Sequence, residues 1–467
     1  AREALNFYGT VSLDTYDPAT GKSRLANLML STPAIYGAGS VNDVATIRTA
    51  NLIWNGAVGA PGSVIAGGAG TGAGRLDIQA QRIEFGYGDF AQPSSITTLD
   101  RLALGFANVN LSASERLTAN HKGSLAVYQR QGAYDAKTGY AYSGGNLNIL
   151  TPLLTGEAGS VNRITAGGAV NVAGTSAKPG TVSGLGGELS IKGASLNLAS
   201  AVMLPSGKLT LSATDDLTLA DGALIDVAGR TVTFNDVTRY SAGGEVILQS
   251  QSGNIRQAAG SSIDLSARHN QAGRLSAVAL DGAAGVVDLQ GRILGSSTGE
   301  YDAGGTAMPY LAGGVEIQAQ RLGGNGNLSE QFAALNQRLN EGQLFGSRSF
   351  QLKQGDLVIG NELKASSIDV SLDNGSLLVN GKVDASGERV GSIRLAAGRS
   401  LTLGRNAVLD AHGNRLRVDS YGKIIDSPNR AIVDLTSRNG VLTLADGARI
   451  DLRHGTAAPA GQHDGRA

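Results

Sequence analysis

The chain has 467 residues, with 39 basic and 39 acidic side chains, 67 glycines, 10 prolines and no cysteine. Its zero formal charge gives no electrostatic reason to expect nucleic-acid binding, and no apolar run is long enough to predict membrane insertion. The glycines follow no Gly-X-Y period, which excludes collagen. Apolar clusters typical of β-strands recur along the chain and argue against disorder. A single core seldom grows to this length, whereas stacked repeats lengthen without thickening.

The clearest repeat lies at residues 207–229 and recurs at residues 391–413. In the first copy, apolar residues with period two form the pairs Leu209/Leu211, Leu217/Leu219 and Ile225/Val227. Such pairs indicate short strands that bury one face. Looser copies occur elsewhere, including one with the pairs Val433/Leu435, Leu442/Leu444 and Ile450/Leu452. The pairs therefore predict three short strands in each repeat.

The spacing of the pairs predicts how these strands are connected. The corners are too short for the helical crossovers of an ordinary parallel sheet. Three strands and three corners instead close one coil, and successive coils stack in parallel at about 4.8 Å. We therefore predict an all-β fold, a right-handed parallel β-helix (a solenoid) with loop excursions and one short helical insertion. The long and variable coil favours this type over the left-handed hexapeptide type.

Glycine and aspartate mark the predicted corners. Gly222 and Gly229 stand where a corner needs a positive φ or a close backbone approach. Aspartate follows an apolar residue at the end of several strands, and we expect its carboxylate to accept hydrogen bonds from nearby backbone amides. A row of catalytic carboxylates is the alternative. These aspartates are Asp226, Asp264, Asp384, Asp410 and Asp451.

The repeats divide the chain into five predicted regions. The first is an aromatic-richer, less regular part of the β-helix, for which an inserted carbohydrate-binding module is the alternative. Two regular shaft regions follow, separated by a helical or loop insertion, and the chain ends in a segment without a core-forming pattern, predicted to be flexible. In chain order the regions are residues 1–150, 151–321, 322–350, 351–453 and 454–467.

The insertion contains the segment SEQFAALNQRLNEG, which predicts a helix with Ser329 as its N-cap. Phe332, Leu335 and Leu339 form an apolar stripe at helical spacing. We expect this stripe to cover an exposed flank of the stacked coils, with ligand binding as the alternative.

Tyrosines in two excursions, residues 128–145 and 300–314, are the candidate ligand contacts, because the flat faces of sugars stack on aromatic rings. Tyr134 and Tyr140 are expected to be the most exposed. The alternative is packing, because Tyr142, Tyr240 and Tyr310 each precede a Gly-Gly pair where an excursion returns to the coil. The candidate glycan contacts are Tyr128, Tyr134, Asp135, Lys137, Tyr140, Tyr301 and Asp302.

No motif indicates catalysis, a cofactor or a metal. The GAGTGAG of residues 68–74 lacks the helix and acidic residue of a dinucleotide site, and the GGNGNL of residues 323–328 lacks the aspartate of a calcium repeat. The five histidines form no HExxH motif and no close pair. Acidic residues are distributed over corners rather than grouped as in lyases and glycosidases. We therefore predict no cofactor, no metal site, no catalytic residues and no enzymatic activity.

Several phrases in the repeats resemble large exoproteins of the filamentous-haemagglutinin family of Gram-negative bacteria. They are GGNLNILTPLLTGEAGS, VNRITAGGAVNVAG, GALIDVAG and GSSIDLSA. The resemblance covers the chain from about Leu102 to Arg453. It implies two-partner secretion, in which an outer-membrane β-barrel partner exports the chain to the bacterial cell surface. The Asn-Pro-Asn motif of the family's secretion domain is absent, so we expect an interior part of the shaft.

The expected function is that of a secreted adhesin segment, a rigid rod and display surface for attachment, aggregation or biofilm formation. Its receptor would be a glycan or protein on a host or bacterial surface. The absence of cysteine suits a chain that crosses an outer-membrane pore unfolded. The alternatives are the stick of a contact-dependent inhibition protein that delivers a toxin, and a β-helical polysaccharide lyase or hydrolase.

Overall fold

The structure is a computed structural model, and it describes residues 2–56, 60–88, 90–92 and 98–454. The chain folds into two compact units, an N-terminal unit (Ala1–Asp226) and a C-terminal unit (Val227–Ala467). Strands make up about 50% of the chain and helix 4%. Each unit is a stack of parallel coils, which confirms the predicted all-β parallel β-helix with excursions and one helical insertion. The predicted flexible tail lies, from residue 455 onward, outside the described residues.

Most strands of the N-terminal unit are short. They are β1 (Leu5–Phe7), β2 (Val11–Asp14), β3 (Leu28–Leu30), β4 (Ala34–Gly37), β5 (Val44–Arg48), β6 (Asn51–Trp54), β7 (Gly74–Phe85), β8 (Leu99–Leu104), β9 (Phe106–Ala119), β10 (Lys122–Tyr128), β11 (Arg130–Asp135), β12 (Gly139–Ser143), β13 (Asn146–Leu150), β14 (Leu153–Gly156), β15 (Val161–Ala166), β16 (Val170–Ala173), β17 (Glu188–Gly193), β18 (Leu196–Ala199), β19 (Ala201–Met203), β20 (Lys208–Ala213), β21 (Leu217–Leu219) and β22 (Leu224–Asp226).

These strands stack into three parallel sheets around the core of the N-terminal unit. The first sheet has the order β1-β4-β8-β10-β15-β17-β20. The second runs from β2 through β5, β7, β9, β13, β16 and β18 to β21. The third runs from β3 through β6, β7, β9, β14 and β19 to β22. The long strands β7 and β9 bend around a corner and serve both of the last two sheets. Parallel pairing thus includes the aromatic-richer first 150 residues.

The C-terminal unit contains twenty-three strands, one α-helix and one 3₁₀-helix among its described residues. They are β23 (Thr231–Phe234), β24 (Val237–Tyr240), β25 (Glu245–Ser250), β26 (Ile255–Gln257), β27 (Ser262–Asp264), β28 (Arg274–Ala279), β29 (Val286–Leu289), β30 (Arg292–Leu294), β31 (Glu300–Asp302), β32 (Ala307–Pro309), β33 (Gly314–Ala319), β34 (Arg321–Leu322), α1 (Leu328–Glu341), β35 (Ser347–Leu352), β36 (Leu357–Ile359), β37 (Ser367–Leu372), β38 (Leu377–Val379), β39 (Lys382–Asp384), β40 (Ser392–Ala397), β41 (Leu401–Leu403), β42 (Val408–Asp410), the 3₁₀-helix Ser427–Asn429, β43 (Ile432–Ser437), β44 (Leu442–Leu444) and β45 (Arg449–Asp451).

Within this unit the first sheet is continuous, with the order β25-β28-β33-β35-β37-β40-β43. The other two sheets are each divided. The second sheet pairs β26, β29 and β34, and then starts again as β36-β38-β41-β44. The third sheet pairs β27 with β30 and starts again as β39-β42-β45. Helix α1 occupies the coil where both are interrupted.

Alternating burial shows why these sequences form coils. In β20 the inward residues Leu209 and Leu211 are fully buried, and Leu217, Leu219 and Ile225 are equally inaccessible in the same coil. Each inward side chain lies in register with the inward side chain of the neighbouring coil, as in the pairing of β17 with β20. The apolar pairs predicted from the repeat therefore form the core.

The last described coil departs from this rule. Leu442 and Leu444 occupy inward positions of the repeat, in register with the buried pair Leu401 and Leu403, yet they are 41% and 53% exposed. They pack against a neighbouring coil on one side only, and no described residue covers the other side. Burial of this core therefore requires a coil above as well as a coil below.

The predicted corner glycines meet two different needs. Gly222 has a φ of 84°, a left-handed conformation that side chains with a Cβ rarely adopt. At Gly229 a Cβ atom would lie 2.1 Å from the carbonyl oxygen of Ser241, so only glycine permits this approach.

Helix α1 lies within the predicted insertion, and it buries the predicted stripe of Phe332, Leu335 and Leu339. It packs against β30, β34 and β36, and the Phe332 and Phe350 rings meet edge to face at 4.8 Å. The predicted N-cap, Ser329, was wrong. Asn327 and Glu330 form a capping box, because the Asn327 side chain accepts from the Glu330 amide and the Glu330 carboxylate accepts from the Asn327 amide.

The buried Arg348 attaches this helix to the coil beneath it. Its guanidinium donates to the Asn336 Oδ1 atom at 3.0 Å, to the Asn340 Oδ1 atom at 2.8 Å and to the Leu344 carbonyl at 3.1 Å. Burial lowers the pKa of Arg348 to about 9. These hydrogen bonds all go to neutral acceptors, among them oxygens near the carboxyl end of α1, where the helix dipole favours a cation.

Arg101 is a second buried arginine, in the N-terminal unit, and it joins neighbouring coils. It is 2% exposed and donates to three backbone carbonyls, those of Trp54, Leu99 and Ser124. Burial lowers its pKa to about 10. Two coil cores thus contain an arginine bound to backbone or amide oxygens, which sequence periodicity did not predict.

Because the inward side chains of a strand are buried and the outward ones are not, substitutions on the two faces of one strand should change the free energy of unfolding by different amounts. Leu403→Ala removes a fully buried inward side chain from β41, so we expect a loss of about 2–5 kcal/mol in the free energy of unfolding. Thr402→Ala, on the outward face of the same strand, should change it by less than about 0.5 kcal/mol. Urea unfolding followed by circular dichroism measures both. Equal effects of the two substitutions would contradict the assignment of faces.

Substitution of Arg348 tests the attachment of α1. Arg348→Met keeps most of the side-chain volume but leaves the acceptors on Asn336 and Asn340 without their donor, at about 1–3 kcal/mol for each buried group. We expect faster amide hydrogen exchange throughout α1, measured by mass spectrometry. Arg394→Met, on the outward face of β40, is the matched control and should leave this exchange unchanged. Unaltered exchange in Arg348→Met would show that apolar contacts alone hold the helix.

Candidate functional site

Among the described residues, three two-stranded antiparallel hairpins interrupt the parallel coils. The first hairpin is β11–β12 in the N-terminal unit, and the second (β23–β24) and third (β31–β32) belong to the C-terminal unit. The first and third correspond to the two tyrosine-containing excursions. The seven candidate contact residues therefore fall at two separate places.

A pair of rings lies at the base of each hairpin. Tyr142 stacks on Tyr128 with 4.8 Å between centroids, Tyr240 lies 4.7 Å from His269, and Tyr310 lies 5.2 Å from Tyr301. Each pair includes one of the three tyrosines that precede a Gly-Gly. The packing interpretation of these three tyrosines is confirmed.

Tyr128, a candidate glycan contact, belongs to this packing. It and Tyr142 are half-buried against the cluster formed by Ala34, Tyr36, Ala69, Leu102 and Leu104. Burial, together with the neighbouring Tyr142 hydroxyl, raises the pKa of Tyr128. Its ring therefore fastens the base of the first hairpin to the coil and offers little free surface.

The tip of the first hairpin presents the most exposed aromatic pair. Tyr134 and Tyr140 face each other across the two strands, with 5.0 Å between ring centroids and an interplanar angle of 64°. They are 65% and 50% exposed. Two adjoining rings at an exposed tip form a flat, partly apolar surface that a sugar ring or an extended peptide can contact.

Asp135 is part of the turn below these rings. Its Oδ1 atom accepts from the amides of Lys137 and Thr138, both at 2.9 Å, and from the Thr138 hydroxyl at 3.0 Å. These bonds hold the pKa of the Asp135 carboxyl below its usual value. The carboxylate thus fixes the turn, and Lys137 in the same turn is exposed.

The third hairpin lies along later coils of the C-terminal unit. Arg389 donates to the Tyr301 hydroxyl and to the Pro309 carbonyl, both at 2.8 Å. Arg415 bonds the Glu300 carboxylate at 2.7 Å and the Ala307 carbonyl at 2.6 Å. These contacts join residues 80 to 115 positions apart in the chain, and no local pattern indicates them.

The two candidates on this hairpin have structural partners. Tyr301 lies between Tyr310 and the guanidinium of Arg389, which sits 5.4 Å from its ring centroid. The Asp302 Oδ1 atom accepts from the Gly305 amide at 2.6 Å and closes the turn. Of the candidate residues, Tyr134, Asp135, Lys137 and Tyr140 therefore lie together at one exposed tip, where the Asp135 carboxylate accepts hydrogen bonds within the turn.

The recurring aspartates have the predicted role at corners. In four of them the Oδ1 atom accepts from the backbone amide two residues later, at 2.9 to 3.2 Å. Asp384, Asp410 and Asp451 also stack in register along the third sheet. The four are Asp264, Asp384, Asp410 and Asp451.

Basic side chains balance this stack of carboxylates. Lys382 lies 3.3 Å from Asp384 and 2.9 Å from Asp410, and Arg453 pairs with Asp451 at 2.7 Å. The His412 Nδ1 atom lies 2.5 Å from Asp410. Asp410, His412 and Asp451 place potential metal ligands within 4.8 Å of one another, but Lys382 and Arg453 already occupy the carboxylates. The arrangement is an ion-pair ladder that joins coils.

Comparison of the chain with protein-family models, with curated proteins and with solved structures finds no match in any of the three. The resemblance to filamentous-haemagglutinin-type exoproteins therefore stays a prediction. No helix among the described residues is long and apolar enough to cross a membrane.

The ion-pair ladder predicts a local loss of stability in acid. The hydrogen bond from Arg453 lowers the pKa of Asp451 from 3.8 to about 2. Because the folded pKa lies below the unfolded one, the stabilisation is complete above about pH 4 and is lost as the pH falls toward 2. Asp451→Asn should cost about 1 kcal/mol at pH 6, since the pair is solvent-screened, and nothing at pH 2. Hydrogen exchange of β45 measures this cost.

Asp446→Asn is the control, because Asp446 is exposed beside the same strand. It should leave exchange of β45 unchanged at every pH. An effect of Asp451→Asn that persists undiminished at pH 2 would contradict the ion-pair explanation.

Proposed function

We propose that this chain is a segment of a secreted bacterial surface protein, in which stacked coils act as a rigid spacer and the first hairpin attaches to surface glycans. Support for the spacer role comes from the construction of each unit. Successive coils are joined by parallel backbone hydrogen bonds on three sides and by an unbroken series of buried apolar side chains in the regular stretches. Such a stack resists bending because each interior coil is fixed to the coil before it and the coil after it.

The observation that supports attachment is the contrast between tyrosines. At the bases of the hairpins every tyrosine packs on another ring. Tyr134 and Tyr140 instead pair with each other at a solvent-exposed tip. Paired exposed rings leave apolar surface in water, and exposed apolar surface grouped in this way is typical of binding sites.

The hairpin is also rigid enough to bind without a large entropic penalty. Antiparallel pairing joins its two strands, the Asp135 hydrogen bonds fix its turn, and the Tyr128–Tyr142 stack holds its base. A binding surface that is already ordered loses little conformational freedom when a ligand arrives. Lys137 adds one positive charge beside the rings, which suits a sugar that also bears an acidic group.

Export and location follow from the same proposal. A chain without cysteine forms no disulfide loop that would obstruct passage through an outer-membrane partner. Coils that pack only on their neighbours can fold in order as they emerge. The segment would then lie outside the cell, where its receptor is a glycan of a host or bacterial surface.

The test is a double substitution at the tip, Tyr134→Ala with Tyr140→Ala. Because both rings are exposed, the fold should be retained, while binding to a glycan array and to cultured host and bacterial cells should fall at least tenfold, about 1.4 kcal/mol. Circular dichroism checks that the strand content is unchanged.

Tyr421→Ala is the matched control, since Tyr421 is 91% exposed but lies on a different excursion. It should bind like the wild type. Undiminished binding by the double variant, or the same loss in Tyr421→Ala, would contradict attachment through the first hairpin.

A further inference from the structure

A polar groove lies on the outer face of the first sheet of the N-terminal unit. It has a volume of about 370 Å³ and crosses five successive strands, β8, β10, β15, β17 and β20. Outward side chains line it in rows along the stack. Lys122, Val161 and Glu188 are in register in one row, and Ser124, Arg163 and Ser190 in the next.

The described residues cover only part of this sheet, and the groove lies beside the covered part. In β8 the outward residues Leu102 and Leu104 are buried in one cluster with Tyr36 and Ala69, and the Tyr128–Tyr142 stack packs against this cluster. Toward the start of the same strands, Asp100 and Lys122 are exposed in the part of the chain that the structure describes. The groove is therefore bounded along one side by a fixed wall.

Two basic side chains in the groove are available to a ligand. Arg163 and Lys122 are exposed, and among the described residues neither side chain has an ion-pair or hydrogen-bond partner. The Asp100 carboxylate, by contrast, accepts from the Ser124 hydroxyl at 2.6 Å. A guanidinium binds a carboxylate through two parallel hydrogen bonds, and an exposed lysine adds a point charge.

The remaining lining favours a sugar over a small anion. Hydroxyl groups of Ser190 and Thr210 continue the row of Arg163, and Val161 offers an apolar surface that is 42% exposed. Hydroxyls and amides bind sugar hydroxyls, while a flat apolar surface suits the C–H face of a pyranose ring. Strands about 4.8 Å apart place successive side chains of a row at a spacing close to the length of one sugar in a linear chain.

We propose that this groove binds a linear polysaccharide whose sugars bear carboxylate groups, with Arg163 and Lys122 as the residues that recognise the charge. Asp100 and Glu188 lie in the same groove, so a densely sulfated chain would meet repulsion that a uronic-acid chain, with fewer charges and more hydroxyls, avoids. This site shares no exposed residue with the tip of the first hairpin and does not depend on the glycan contact proposed there.

The test measures binding of a galacturonate hexamer to the whole chain by calorimetry, with a neutral cellulose hexamer and a sulfated heparin hexasaccharide as comparison ligands. We expect the galacturonate to bind best and to weaken as salt is raised. Arg163→Gln should reduce its affinity at least tenfold, and Lys122→Gln should reduce it severalfold. Both residues are exposed, so the fold should be unaffected.

Lys178→Gln removes an exposed charge outside the groove and should leave binding within twofold of wild type. The double alanine variant at Tyr134 and Tyr140 should also bind galacturonate normally, which separates this site from the hairpin. Absence of binding by the wild type, undiminished binding by Arg163→Gln, or preference for the sulfated ligand would each overturn the inference. None of these outcomes bears on the array result for the hairpin.

Discussion

The structure depends on one constraint, which is that each inward apolar side chain must lie directly above the inward side chain of the coil before it. Parallel hydrogen bonding sets the distance between coils, and register then decides which side chains meet. Leu189 and Ile191 are buried because coils lie on both sides of them, and Leu444 is exposed because the described residues supply only one. Corners are free of this constraint, so excursions of any length can be inserted there.

The same constraint explains which features the sequence predicts. Period-two apolar pairs and corner aspartates recur with every coil, so both could be recognised from the chain alone. The packing of the tyrosine before Gly-Gly could also be predicted, because this motif recurs where each hairpin returns to the coil. The sequence predicts Ser329 as the N-cap of the helix, because serine and asparagine both favour this position. The true N-cap is Asn327, which forms a capping box with Glu330. The burial of Arg101 and Arg348 could not be predicted, because nothing in the local sequence spacing distinguishes a buried arginine from an exposed one.

The two tyrosine-containing excursions show where local sequence stops being informative. Both form hairpins, both have stacked rings at the base, and both use an aspartate to close the turn. Their difference arises from residues far away in the chain. Arg389 and Arg415 hold the third hairpin against later coils, whereas the tip of the first hairpin extends into solvent. Whether the tyrosines of a hairpin are free for ligand contact or packed thus depends on the surface that surrounds the hairpin.

Helix α1 has a mechanical consequence for the C-terminal unit. Elsewhere in the regular coils of this unit, backbone hydrogen bonds on three sides would share a pulling force applied along the stack. At α1 two of these sides have no strand pairing. The connection there includes the side-chain bonds of Arg338 to the Leu289 carbonyl and of Asn340 to the Glu362 carbonyl, and a backbone bond from the Gly295 amide to the Gly342 carbonyl. Only the first sheet continues past this level. Under tension the unit should therefore unfold first at the helix. This level would extend before the neighbouring coils lose their strand pairing.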